Sequence, residues 1–146
     1  MAERTVFQSI PKKHCLSLGP QHNVWEAACA MTRANCGSIL VMEPPDRLLG
    51  IVTERDLMTR VLAKALEPKQ TLLSQIMTPN PQCVTPETRV SDAVLIMIER
   101  GFRHLPVLGP DRKILGVFSV RDALPREIGT ALNQAEFNEQ VNDALG

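Results

Sequence analysis

Two aspartates, Asp56 and Asp122, each stand three positions after a hydroxyl residue, in Thr53-Glu54-Arg55-Asp56 and Ser119-Val120-Arg121-Asp122. One carboxylate can accept both neighbouring hydroxyls of a ribose, which makes these aspartates candidates for holding a sugar. A phosphate wants backbone N–H donors, a hydroxyl and a cation, and helix starts at Thr53 and Ser119 supply the first two. Arg55, Arg121, Arg103 and His104 offer charge or further donors, arginine in particular gripping phosphate through two parallel hydrogen bonds. The same spacing has a plainer chemistry. Ser/Thr-x-x-Asp after an apolar run starts a helix, the hydroxyl capping one exposed N–H and the carboxylate reaching back to another. On the turn alone the aspartates need do nothing more than cap.

These turns need elements to hold them. Each follows a glycine-led apolar strand, Gly50-Ile51-Val52 and Gly116-Val117-Phe118. The second half of the chain repeats the first at an offset of sixty-six: Pro86 matches Pro20, Val90, Ala93 and Met97 match Val24, Ala27 and Met31, and Leu115, Gly116, Arg121, Asp122 and Arg126 match Leu49, Gly50, Arg55, Asp56 and Arg60. Ile76 matches Ile10 at the same offset, so the repeat reads as free of gaps. Each copy predicts a β-α-β-β-α unit, an α+β arrangement with too few strands to bury its own sheet, so two copies are expected to pack about a pseudo-two-fold axis. The first repeat spans 10–66, a linker 67–75, the second repeat 76–128 and a tail 129–146.

Within the first repeat, Cys15-Leu16-Ser17-Leu18 reads as a strand fragment and Asn23 opens a helix that ends near Gly37, a plausible left-handed stop. Strands follow at Ser38–Met42 and Leu48–Val52, around the turn Pro44-Pro45-Asp46-Arg47. The helix capped by Thr53 is expected to reach Leu66, with Leu57, Val61, Leu62 and Ala65 on one face. In the second repeat Pro125 should kink or shorten the corresponding helix. Gly129 separates a tail in which Thr130 caps a last helix carrying Leu132, Ala135, Val141 and Leu145.

Composition bounds the rest. Of 146 residues, 44% are apolar and 22% charged, and sixteen basic residues balance sixteen acidic ones. No overall field draws such a chain to nucleic acid or to a membrane surface, and one Trp, four Phe and no Tyr make a poor stacking platform. No apolar run is long enough to span a membrane and no signal peptide is evident, so a cytoplasmic protein is expected. Cys15, Cys29, Cys36 and Cys83 lack metal-site spacing and read as small buried hydrophobes. His14 and His22 read as surface residues. No Gly-x-Ser-x-Gly, phosphate-loop or His-Glu-x-x-His motif appears and nothing positions a Cys-His pair, so no catalytic residue is assigned and a non-enzyme is expected.

The duplicated Gly-Ile-Val-Thr-Glu-Arg-Asp and Gly-Val-Phe-Ser-Val-Arg-Asp strings, with Gly101-Phe102-Arg103-His104-Leu105-Pro106-Val107 and Ile76-Met77-Thr78-Pro79, resemble the CBS domain, named after cystathionine β-synthase. Two in tandem form the pair often called a Bateman module, and the resemblance covers roughly Ile10 to Ile128, like the small stand-alone pairs. It implies a regulatory module that binds adenosine-containing ligands (AMP, ADP, ATP or S-adenosylmethionine) in clefts between the copies, and that needs no cofactor. It implies ligand contacts from Thr53, Arg55 and Asp56 in one copy and Ser119, Arg121 and Asp122 in the other. Leu105, Pro106 and the start of the opposite helix near Ala27 would line a slot for the base. Such pairs commonly dimerise, so a homodimer is expected, with the regulated protein partner unknown. The rival reading is a dimeric adaptor that has lost its ligand. Arg103-His104 stand where the first copy has Gly37-Ser38, so the Ser119–Asp122 site is expected to bind nucleotide more tightly than the Thr53–Asp56 site.

Overall fold

The computed structural model describes residues 3–10 and 15–145; the reading of His14 lies outside them. The chain divides into two compact units that do not follow the repeat boundaries. One comprises Met1–Lys13 with Cys83–Gly146, the other His14–Gln82. Each unit is an α+β layer in which a small sheet is covered by helices.

In the continuous unit, β1 (Ser17–Leu18) runs parallel to β2 (Ser38–Glu43), which pairs antiparallel with β3 (Arg47–Thr53) in the register Ile39–Val52 and Leu40–Ile51. Asn23 caps α2 (Val24–Ala34) reciprocally with Glu26, and Val24, Ala27 and Met31 bury their side chains at the helical period anticipated for them. They pack with Ile39, Val41, Val52, Val61, Leu73 and Ile76 into one core. The helix stops two residues earlier than expected. Asn35, not Gly37, takes the left-handed conformation (φ 52°, ψ 46°), a state asparagine tolerates because its short amide bonds locally. Gly101 (φ 75°) fills the equivalent place after α5 (Val90–Arg100).

The helix after Thr53 also departs from expectation. A single turn, α3 (Glu54–Asp56), widens into a π-helix over Leu57–Leu62, with the Ala63 N–H bonded to Met58 O and the Leu66 N–H to Val61 O, five residues back. Wider winding takes more residues per turn, so the expected stripe separates: Val61 is buried, Leu57 half-buried, and Leu62 and Ala65 face solvent.

The opening segment of each repeat sets the unit boundaries. α1 (Val6–Ser9) lies with the second repeat, and α4 (Leu73–Ile76) with the first. Each is capped by a glutamine side chain that accepts the N–H of the residue before the helix, Gln8 from Thr5 and Gln75 from Leu72. Each leads into a residue seated on the strand glycine. A β-carbon at Gly50 would lie 2.6 Å from Met77 Sδ and 2.7 Å from Thr78 O, and one at Gly116 would lie 2.9 Å from Ile10 Cδ1. Met77 therefore corresponds to Ile10, sixty-seven positions on, while the rest of the repeat holds sixty-six. The opening segments are out of step by one residue, so the repeat is not gapless. β4 (Thr78–Pro79) then pairs antiparallel with β3 through Gly50 and Ile51.

In the composite unit, β5 (His104–Leu108) and β6 (Ile114–Ser119) pair antiparallel, and Val84 bridges to Val107 in parallel. Val6, Ile10, Val90, Ala93, Met97, Leu105, Val107 and Phe118 form its core. The last helix corrects two expectations. α6 (Pro125–Leu145) is continuous for 21 residues, so Pro125 is its first residue, where its missing N–H takes no bond from the helix it opens, and Gly129 separates no tail. Thr130 caps nothing; its Oγ1 donates back to Arg126 O at 2.9 Å. The helix packs along α5, with Ala131 buried and Asn138 Nδ2 donating to Glu99 Oε1 at 2.9 Å. Of the expected apolar stripe, Ala135 is half-buried, whereas Leu132, Val141 and Leu145 are exposed.

Apart from its chain neighbours and the helix's own backbone, no atom lies within 4 Å of a β-carbon built on Gly129, so Gly129→Ala should stabilise the protein by about 1 kcal/mol, the helix-interior difference between the two residues. Gly50→Ala, whose methyl meets a backbone carbonyl, should destabilise by about 1–3 kcal/mol. Urea unfolding of both variants checks the pair, and a destabilised Gly129→Ala would contradict the continuous helix.

Candidate ligand-binding turns

Both strand ends carry the anticipated reciprocal cap. At the first, Thr53 N–H donates to Asp56 Oδ2 at 2.9 Å, and Asp56 N–H donates to Thr53 Oγ1 at 3.3 Å. At the second, Ser119 N–H donates to Asp122 Oδ2 at 2.9 Å, but Ser119 Oγ accepts from Arg121 N–H at 3.3 Å, one residue earlier. That shift tightens the second turn into a 3-10 helix, Val120–Asp122, which ends there.

The two aspartates are held differently. Asp56 is buried, and its second oxygen, Oδ1, lies 3.6 Å from Arg60 Nε. Arg60 is itself fixed by a 2.9 Å bond from Nη1 to Ile76 O. An arginine four residues after an aspartate on a helix is the signal that marks this pair in the sequence. Asp122 is half-buried, and among the described residues its Oδ1 accepts no hydrogen bond. Burial raises the Asp122 carboxyl above its ordinary pKa, against the Ser119 N–H bond and the charges of Arg121 and Arg4.

Of the candidate residues, the structure gathers one group around the second turn. His104 faces Ser119 across the β5–β6 ladder, and Arg103 O accepts the Val120 N–H at 3.3 Å. The side chains of Arg103 and Arg121 are exposed beside Asp122's turn, as Arg55 is beside Asp56. Leu105, Pro106 and Ala27 are fully buried; Leu105 and Ala27 belong to the cores of their own units, because each occupies an inward position of its strand or helix. They wall the fold rather than present an open surface. His22 is exposed, as expected, and meets Glu26 Oε2 at 2.7 Å. None of the cysteines is fully buried, and Cys36 is exposed; partial burial pushes the Cys15 thiol up to about 11. Among the described residues no three His, Cys, Asp or Glu side chains are grouped to hold a metal ion, and no helix is long and apolar enough to cross a membrane.

One group at the second turn has no forewarning in the repeat. Arg4 Nε and Nη2 form a fork on Glu127, at 3.1 Å to Oε2 and 2.8 Å to Oε1, and Nη2 also donates to Asp122 O at 3.0 Å. Glu127 Oε1 further accepts the Leu124 N–H at 2.7 Å and so caps α6. Glu127 is buried, and its bond to Arg4, ahead of the bond from Leu124 N–H, holds its carboxyl below the ordinary range. The residues are 123 positions apart, and the first copy has Val61 where the second has Glu127, so repeat logic does not find them.

Fold and turns together define a tandem α+β repeat module with a capped strand–helix turn in each copy. The family model described as "CBS domain" matches residues 7–63 and again 73–127, so the chain belongs to the CBS-domain family and carries two copies. It is 35% identical over 139 residues to the "Meiotically up-regulated gene 70 protein" of Schizosaccharomyces pombe, covering 89% of this chain and 19% of that protein. It is 36% identical over 103 residues to an uncharacterized 17.7 kDa protein of Acidianus ambivalens, covering 70% of this chain and 61% of that one. The chain thus spans less than two thirds of the length of these relatives. In structure it is similar to a CBS-domain protein of Pyrobaculum aerophilum complexed with AMP, at TM-score 0.76 and 23% identity, covering 91% of this chain and 98% of the other.

A depressed carboxyl stabilises the fold above its unfolded pKa and loses that contribution as pH falls through its folded value. Glu127 starts from 4.5. Glu127→Gln should therefore cost about 1.5–3 kcal/mol at pH 7, the worth of a charge-assisted hydrogen bond, and the gap to the wild type should close as pH falls below 4.5. Urea denaturation at a series of pH values measures the gap directly.

Proposed function

We propose that this CBS pair is a regulatory module whose input is an adenosine-containing ligand: AMP, ADP, ATP or S-adenosylmethionine. The observation that carries the reading is Asp122. Its Oδ2 is spent on Ser119 N–H, but its Oδ1 accepts no hydrogen bond among the described residues, so a ribose hydroxyl can donate to it. Arg103 and Arg121 flank it with exposed guanidinium groups that suit phosphate, and the AMP held by the Pyrobaculum aerophilum relative supports the ligand class. Asp56 is the weaker candidate, since Arg60 already faces its second oxygen. The ordering of the two sites follows from this difference in occupancy as well as from the cations. Ligand binding acts on a partner by favouring one arrangement of the protein over another.

A second reading is a homodimeric adaptor that works without ligand. It draws on the exposed apolar side chains Met58, Leu62 and Leu66 beyond Asp56, and Phe137, Val141 and Leu145 on α6. Both readings assign no catalysis to the protein.

A thermal-shift panel with AMP, ADP, ATP and S-adenosylmethionine separates them. A ligand at one hundred times its dissociation constant stabilises by about 2.7 kcal/mol, which should raise the melting midpoint by roughly 5–11 °C. Under the ligand reading one compound gives the shift, Asp122→Ala abolishes it, and Asp56→Ala retains most of it. No shift with any of the four on folded protein would overturn that reading in favour of the adaptor.

A further inference from the structure

We infer that Arg4 is a positioning residue for the Asp122 site, standing in for the helix that Pro125 interrupts. The inference rests on the ligand reading of Asp122. In the first copy the chain winds on from Asp56 into the π-helix, and the turn is held by that continuation. In the second copy the 3-10 turn ends at Asp122, and the N–H that would next bond the Asp122 carbonyl in a 3-10 helix belongs to Pro125, which has none. Arg4 Nη2 makes that bond instead, at 3.0 Å. The same guanidinium is locked by its fork on buried Glu127, which also caps the restarting helix through Leu124 N–H. Four groups from the two ends of the composite unit thus meet: the Asp122 carbonyl, the Leu124 amide, the Glu127 carboxylate and the Arg4 guanidinium.

The equivalent of Arg4 in the other unit shows that the device is particular to this one. Arg4 O accepts the Val90 N–H, and Thr71 O accepts the Val24 N–H in the same way, so Thr71 occupies the matching position. Its hydroxyl donates to Glu67 O and offers no charge to Asp56. Arg4 therefore acts on Asp122 twice: it fixes the backbone from which the carboxylate projects, and its positive charge, with that of Arg121, favours the ionised carboxylate that burial opposes. The Ser119 N–H bonds the carboxylate as well, and the other titratable groups at this turn are His104, opposite Ser119 on β5, and Glu127, bonded to the same Arg4 guanidinium.

The test is AMP titration by calorimetry, from pH 4 to 8, on wild type, Asp122→Ala, Arg4→Gln and Arg4→Lys, with circular dichroism establishing that each variant is folded at the titration temperature. Arg4→Gln should raise the AMP dissociation constant by roughly tenfold, equivalent to about 1.4 kcal/mol, and move the acid limb of binding to higher pH, because Asp122 then protonates more readily. Arg4→Lys, which keeps a charge without the fork, should restore the wild-type acid limb while leaving affinity below wild type. A residue that only stabilised the fold would leave the pH profile of the folded variants unchanged. Wild-type AMP binding that Asp122→Ala abolishes but Arg4→Gln leaves within twofold, with the acid limb in place, would overturn the inference and leave the ligand reading standing. Should AMP not bind the wild type, the same series is run with whichever of ADP, ATP or S-adenosylmethionine does, and absence of wild-type binding to all four would overturn both.

Discussion

A backbone N–H at the end of a strand, bonded to the carboxylate three residues ahead, is the interaction on which both units turn. It stops β3 at Thr53 and β6 at Ser119 and sets the direction in which the chain leaves each sheet. Because the carboxylate spends one oxygen on the backbone, only the other is left for anything else. What faces that second oxygen then separates the two copies. Arg60 comes to Asp56 along its own helix, whereas Asp122 is bordered by Arg121 of its own turn and by Arg4 from a distant segment. Two turns that share a hydroxyl, an arginine and an aspartate at the same spacing thereby acquire different chemistry.

The proline six residues beyond Ser119 carries that difference into the rest of the composite unit. Ending the first helical turn leaves the Asp122 carbonyl and the Leu124 amide without helical partners, and buried or half-buried backbone groups in that condition are costly. Arg4 and Glu127 satisfy both, and a buried carboxylate is tolerated because a guanidinium fork meets it. The long last helix starts from this point, so its placement along α5 depends on a side chain near the other end of the chain.

Much of the fold was legible in the amino-acid pattern. The burial of Val24, Ala27 and Met31, the hairpin of β2 and β3, and the capped turns at Thr53 and Ser119 all rest on local rules, periodicity and capping chemistry, that act over a few residues. The candidate turns themselves were legible for the same reason, and Arg103, His104, Ser119, Arg121 and Asp122 lie at one strand end. The misses have longer range. The π-winding after Asp56 leaves the i, i+3, i+4 pattern of the sequence unchanged, so a regular helix was the natural expectation. Gly129 looks like a break, yet tertiary packing against α5 carries the helix through it. Leu105 and Ala27 are of a type that suits a core as well as an adenine slot, and their packing in the cores of their units is set by tertiary contacts that the local pattern does not show. The Arg4–Glu127 pair spans nearly the whole chain, and no local rule reaches that far.

The interleaved assembly of the units has a consequence for how the protein is made. The continuous unit, His14–Gln82, holds all its segments in one stretch and can close as soon as that stretch leaves the ribosome. The composite unit cannot. Its first helix emerges before the continuous unit, while Glu127 lies 123 residues behind Arg4, an interval of roughly 6–25 s at ordinary rates of synthesis. Until Val90, Leu105 and Phe118 have followed, Val6, which ends fully buried, has no core of its own to enter. The nascent chain therefore passes through a stage in which one unit is complete and the opening helix of the other is still waiting for its partners.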